Sequence, residues 1–183
     1  MRVMRIALAL AALLVGQVFA SGCGYSLAGR GSFLPTYIRT IGVPLFTNNT
    51  SVFDLDRRVS ERVRVELSNR GRYKVLPAEG EPGTDAVLSG EISSITISPV
   101  SFNQQQQASR YVLIMSANVE FKDLKTGKVL WSNPSMQFRD EFEPSTGANV
   151  ADPTAFFGQD VNALERMATE FARSVVSALL EAF

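Results

Sequence analysis

From Leu113 to Lys122 the chain alternates with unusual regularity: Leu113, Met115, Ala117, Val119 and Phe121 are apolar, while Ser116, Asn118, Glu120 and Lys122 are polar. Successive strand side chains point to opposite faces. This stretch therefore predicts a half-covered antiparallel strand, with one face on a core and the other open to water or a partner. Val112 and Ile114 extend the open face with apolar residues. Upstream, Asn103, four consecutive Gln (104–107) and Ala108 read as the exposed tip of a long hairpin whose other arm covers residues 95–102. The strand that leads into that arm begins at Asp85; Leu88, Gly90 and Ile92 share one of its faces, but Ile95 and Ile97 continue in the opposite phase. A bulge near Ser93 and Ser94 is the simplest way to restore the phase.

A strand with one greasy face needs something to cover it, and two segments have helical period. After Asp54 or Asp56 as a cap, Leu55, Val59, Val63 and Leu67 recur every fourth residue, with Gly71 ending the helix. Arg57, Arg58, Glu61, Arg62, Arg64 and Glu66 take its other faces; such an arginine-rich face could grip an anionic ligand, but it reads first as solvated or internally paired charge. A longer stripe follows Asp160: Val161, Leu164, Ala168, Phe171, Val175, Ala178, Leu179 and Ala182. Residues 37–46 are β-branched and aromatic and predict the first strand, with Pro44 near its end because proline cannot donate to a ladder. Residues 47–51 read as a loop. Residues 72–76 predict a short strand, residues 77–84 a turn-rich connection, residues 123–128 a turn and Val129, Leu130 and Trp131 another strand, which Met136, Phe138 and Phe142 continue past Pro134. The economical arrangement is an α+β two-layer sandwich: two helices packed on one face of a mainly antiparallel four- to five-stranded sheet.

The 183 residues contain no His. Ser-His and Cys-His nucleophile pairs, His-ligated zinc and a His general base are excluded. Enzymatic work would fall to carboxylates, Lys, Tyr or Ser, and Asp140, Glu141 and Glu143 are where carboxylates gather. With no basic partner group and no metal-ligand spacing, they read as a charged outer strand face; no catalytic residue, metal or cofactor is expected. Lys125, Thr126 and Gly127 match one element of a serine β-lactamase signature, but its companion Ser-x-x-Lys is absent, so the match is accidental.

The first 22 residues have the three parts of an export signal: Arg2 and Arg5, an apolar run from Ile6 to about Val18, then small residues. A run of about 13 residues is too short for the roughly 20 that a spanning helix needs. Without Arg2 and Arg5 the chain carries 16 basic and 18 acidic residues, a net of −2, which argues against non-specific nucleic-acid binding. The one cysteine, Cys23, follows the small residues directly, in Phe19-Ala20-Ser21-Gly22-Cys23. This resembles the lipobox of bacterial lipoproteins, although Ala20 stands where that motif usually has Leu. The resemblance implies cleavage before Cys23, acylation of its sulfur and usually a third acyl chain on the new amine. The expected organisation is a cleaved signal (1–22), a glycine-rich lipidated tether (23–35) and a single domain (36–183) of a size suited to one core.

Cys23 with Gly24-Tyr25-Ser26-Leu27, the run Ile41-Gly42-Val43-Pro44-Leu45-Phe46-Thr47-Asn48-Asn49-Thr50, a helix after Leu55, and Ala86-Val87-Leu88-Ser89-Gly90-Glu91-Ile92 resemble the LptE family of lipopolysaccharide-assembly lipoproteins. The resemblance covers nearly the whole chain after the signal. It implies an outer-membrane lipoprotein, facing the periplasm and a barrel lumen, that plugs and assists an LptD-type β-barrel and contacts lipopolysaccharide, without catalysis. Gly24 is compatible with outer-membrane sorting. Phosphate groups of the glycolipid would attract Arg and Lys; Arg110 beside the hairpin tip is the first candidate, followed by Lys122, Lys125 and Lys128. A pilotin or accessory factor of another outer-membrane machine, and a carboxylate-dependent envelope hydrolase, are the competing readings.

Overall fold

The computed structural model describes residues 34–70, 73–77, 82–143, 153–159 and 161–183. In chain order these form β1 (Thr40–Gly42), β2 (Thr47–Asn48), α1 (Leu55–Asn69), β3 (Lys74–Leu76), β4 (Ala86–Phe102), β5 (Ala108–Asp123), β6 (Val129–Phe142), α2 (Pro153–Gln159) and α3 (Val161–Glu181). Cys23 and the tether through residue 33, residues 71–72, 78–81 and 144–152, and Asp160 lie outside the described residues.

The alternating segment is β5, the central antiparallel strand between β4 and β6. Its inward residues Leu113, Met115, Ala117, Val119 and Phe121 are all buried, whereas Asn118, Glu120 and Lys122 are exposed. Val112 has outward parity yet is buried, and Ile114 is half-buried. The strand order is β3-β1-β4-β5-β6, and β2 pairs with β4 farther along. The sheet is thus mainly antiparallel in its long strands, with a parallel corner where β1 pairs with both β3 and β4. Adjacent parallel strands need a crossover connection, and α1 supplies it between β1 and β3.

Residues 37–46 do not form one continuous strand. Pro44 interrupts the ladder, and the chain resumes pairing as β2, where Thr47 and Asn48 lie beside Glu91 and Ile92 of β4. The expected irregularity in β4 is present as a register shift between Ile92 and Ser94. The extra residue lets Ile92 and Ile97, an odd number of positions apart, both enter the core.

Helix α1 buries Leu55, Val59, Val63 and Leu67 completely. Full burial of each such side chain is worth about 1.5–3 kcal/mol. Ser60, on the same helix, is also buried; it donates to Asp56 O at 2.6 Å and accepts from the Phe46 N–H at 2.8 Å. This one hydroxyl ties α1 to the β1–β2 connection. Asp54 occupies the N-cap position at φ 64° without a side-chain capping bond. Its carboxylate is taken by Arg57 instead, through two 2.6 Å hydrogen bonds. Helix α3 buries Leu164, Met167, Ala168, Phe171, Val175 and Leu179 against the same core, completing the helical layer on one side of the sheet.

Helix α2 is absent from the sequence reading. Its signal was Asp152-Pro153, since proline is favoured in the first helical turn. Phe156 and Phe157 are buried, and the ring of Phe156 stacks on Phe142 at 4.1 Å, which in turn stacks on Tyr111 at 5.7 Å. The short helix thereby seals the core beside the base of the projecting hairpin.

Candidate functional site

The β4–β5 hairpin runs beyond the core. Pro99, Val100 and Phe102 are exposed near its end, as are residues 103–107 at the tip. The tip is held by its own polar groups: Asn103 Oδ1 accepts from the N–H of Gln105 at 3.0 Å and of Gln107 at 2.9 Å, and Gln106 adopts φ 58°. Arg110 follows on the open face of the sheet. Its Nη2 lies 3.2 Å from Glu143 Oε1, and the two side chains are 49% and 71% exposed. A pair so exposed contributes at most about 1 kcal/mol and leaves the guanidinium available.

Lys122, Lys125 and Lys128 sit at the opposite end of β5. With a rise of about 3.4 Å per residue, Arg110 and Lys122 are separated by about 40 Å. The four basic residues singled out by sequence therefore form two groups, not one cluster. The lysine end is organised by Asp123, which is fully buried. Its carboxylate accepts from the Thr126 hydroxyl at 2.6 Å, the Tyr37 hydroxyl at 2.7 Å and the Lys125 N–H at 2.8 Å. The Thr126 and Tyr37 hydrogen bonds, aided by the backbone N–H groups of Lys125 and Thr126, hold its pKa at about 2 despite desolvation. Gly127 supplies the positive φ of 72° that closes the turn. Lys125 Nζ lies 5.3 Å from the centre of the Tyr37 ring, a cation–π distance.

The acidic segment of β6 is divided by strand alternation. Glu141 lies 3.6 Å from Arg139 and Glu143 pairs with Arg110, while Asp140 sits opposite Leu113 in the ladder. All three carboxylates are exposed. Among the described residues, no group of three or more His, Cys, Asp or Glu could hold a metal ion. No described helix is long and apolar enough to cross a membrane.

The arginines of α1 are more organised than their sequence spacing indicated. Arg57 and Arg58 share Asp54, at 2.6 and 3.4 Å. Arg58 and Arg62 share Glu165, which comes from α3; the Arg58 contact is 3.3 Å. Arg64 pairs with Glu61 at 3.2 Å, and its Nε donates to Val43 O at 2.9 Å. The four arginines, Glu61 and Glu165 line an open groove of about 720 Å³ together with Leu45, Val65 and Pro77. The role of Glu165 had no local sequence signal, because it lies more than a hundred residues from its partners.

The model of the lipopolysaccharide-assembly family LptE matches residues 38–179. A comparison with curated proteins finds no match. Among solved structures, the PelC dodecamer from Paraburkholderia phytofirmans is similar with a TM-score of 0.51 and 17% identity, over 82% of this chain and 92% of that chain. The hypothetical protein CT253 from Chlamydia trachomatis has a TM-score of 0.50 and 12% identity, over 77% and 95%. The rare lipoprotein B from Shewanella oneidensis has a TM-score of 0.45 and 19% identity, over 75% and 92%. At such identities PelC and CT253 share the fold with this chain and nothing finer.

Proposed function

Because the chain belongs to the lipopolysaccharide-assembly family LptE, we propose that it is an outer-membrane lipoprotein, attached through acylated Cys23, that plugs and assists an LptD-type β-barrel. Its role is non-enzymatic: it fills the lumen, helps the barrel assemble and contacts lipopolysaccharide. The observation that carries this reading is the family match across nearly the whole described domain, from the first strand to the last helix. The long hairpin with a polar tip is the physical feature that suits it, since a plug in a water-filled lumen needs a hydrated, projecting surface.

Arg110 remains the first candidate for the glycolipid phosphates, because it lies beside that tip with its side chain about half exposed. Lys122, Lys125 and Lys128 form a separate basic end, about 40 Å along the strand. The open face of β4, β5 and β6 is the surface offered to the barrel wall, while the helices cover the other face.

The deciding experiment is affinity purification of the full-length protein from mild detergent, with the partner identified by mass spectrometry. Recovery of a large lipopolysaccharide-translocating barrel is the expected outcome. Recovery of a different outer-membrane machine would replace this reading with that of a pilotin or accessory lipoprotein.

A further inference from the structure

We propose that the sheet end carrying Arg39, Lys74, Lys122, Lys125 and Lys128 rests on the anionic phospholipid headgroups of the leaflet that holds the acyl chains of Cys23. The chain contains four lysines, and the fold gathers every one of them at this end. Register and hydrogen bonds tie the end together. Thr40 and Lys74 are partners where β1 meets β3, and the Lys74 N–H donates to Arg39 O at 2.8 Å. The Arg39 N–H donates to Asp85 Oδ2 at 2.9 Å, while Asp85 O accepts from the Leu124 N–H at 2.9 Å. Leu124 opens the turn that holds Lys125 and Lys128, and Lys122 stands beside Val129 in the ladder.

The two kinds of basic residue are used differently. The arginines of α1, with Arg70, Arg110, Arg139 and Arg173, all pair with carboxylates. None of the five basic groups at the sheet end has an ion-pair partner among the described residues, and all five are exposed. The carboxylates of Asp85 and Asp123 are occupied by hydrogen bonds within the end itself. With Glu120, on the same strand face as Lys122, they make three carboxylates against five cations. Glu181 lies on the helical side, because α1 and α3 run in parallel, with Arg58 beside Glu165 and Arg70 beside Ser177. The sheet layer is therefore the positive part of this end. Lysine is a hydrated charge on a flexible stem, suited to a fluid array of headgroups, and a basic cluster beside an anchor is drawn to an anionic leaflet. Tyr37, Leu124 and Val129, 39%, 37% and 49% exposed, add apolar surface among the lysines, as an interfacial contact requires. The direction of the chain supplies the second argument. Tyr37 donates to Asp123 and stands three residues after Leu34, so the segment from Cys23 joins the domain at this same end. Covalent geometry limits the Cys23 to Leu34 span to about 40 Å. Arg110 and the hairpin tip, at the far end of β5, stay free for the barrel and its glycolipid. The lipid on Cys23 rests on the function proposed above; the basic end rests on the fold.

The test uses the full-length acylated protein in phosphatidylcholine vesicles, with and without phosphatidylglycerol. Two readouts apply: the rate at which a water-soluble reagent modifies the lysines, and quenching of Trp131, the one tryptophan of the chain, by a lipid with a nitroxide headgroup. Phosphatidylglycerol is expected to slow lysine modification about threefold and to raise the quenching. Both effects should vanish in 1 M salt, where the screening length is about 3 Å. Lys122→Gln with Lys125→Gln and Lys128→Gln should abolish the rise in quenching while the protein still floats with the vesicles. Equal modification and quenching in the two vesicle types would overturn the inference, as would reversal by inorganic phosphate, the mark of a discrete phosphate site. Quenching that rises with phosphorylated lipid A but not with phosphatidylglycerol would assign the lysines to the glycolipid and also overturn it. A wild-type protein that floats with neither vesicle would remove the Cys23 anchor, and the inference with it.

Discussion

The ring of Phe46 fills the space above Gly90: a Cβ at position 90 would lie 2.2 Å from Phe46 Cε2. Glycine at this point in β4 is what lets the β1–β2 connection close onto the sheet. Gly90→Ala is expected to destabilise the domain by about 1–3 kcal/mol, as overpacking of a filled core does. Denaturant unfolding measures it, and the penalty should shrink in a Phe46→Leu background; an equal penalty there would show that the ring is not the obstacle.

Ser60 satisfies the Phe46 N–H from inside the first helix. Ser60→Ala removes the acceptor and leaves a buried donor unpaired, at an expected cost of about 1–3 kcal/mol. Hydrogen exchange at the Phe46 amide should accelerate with it. Unchanged stability would mean that water or another oxygen replaces the hydroxyl.

Asp123 gives the protein a defined acid response. Its folded pKa of about 2 lies below the usual carboxylate value, so its stabilisation is fully present above about pH 4 and is lost as pH falls toward 2. Tyr37→Phe removes one of the hydrogen bonds that depress it and should move acid unfolding to higher pH. The Asp123 hydrogen bond is also the first cause raising the Tyr37 pKa; that contribution is present at neutral pH and is lost only as alkaline pH passes the raised value. Circular dichroism across both limbs checks the signs, and an unchanged acid midpoint in Tyr37→Phe would contradict the assignment.

Cys23 is expected to carry the lipid. Metabolic labelling with a fatty-acid analogue should mark the wild-type protein and be lost in Cys23→Ser, with the unprocessed precursor accumulating. With about 0.8 kcal/mol per buried CH₂, two or three acyl chains suffice for lasting attachment. Retained label in the variant would move the start of the mature chain elsewhere.

Period was the legible signal. The alternation of β5, the four-residue recurrence in α1 and the phase change in β4 each reappear in the structure, because all three follow from covering one face of an element. Less legible were the features that depend on distant chain segments. Asp54 stood in a capping position by sequence, yet Arg57 claims its carboxylate. The short β2 looked like loop because what makes it a strand is pairing with β4, more than forty residues away. The candidate site divided similarly: Arg110 could be placed beside the tip from sequence, but its distance from the lysines required the strand to be laid out.

Taken alone, the sequence determined an α+β layer arrangement, the absence of histidine chemistry and the resemblance to a lipopolysaccharide-assembly family, since composition, period and local motifs are properties of neighbouring residues. The tertiary structure decided which charges meet. Glu165 joins Arg58 and Arg62, Tyr37 reaches Asp123, and Phe46 rests on Gly90 only because strands and helices remote in sequence are brought within a few ångströms by burial of a shared core.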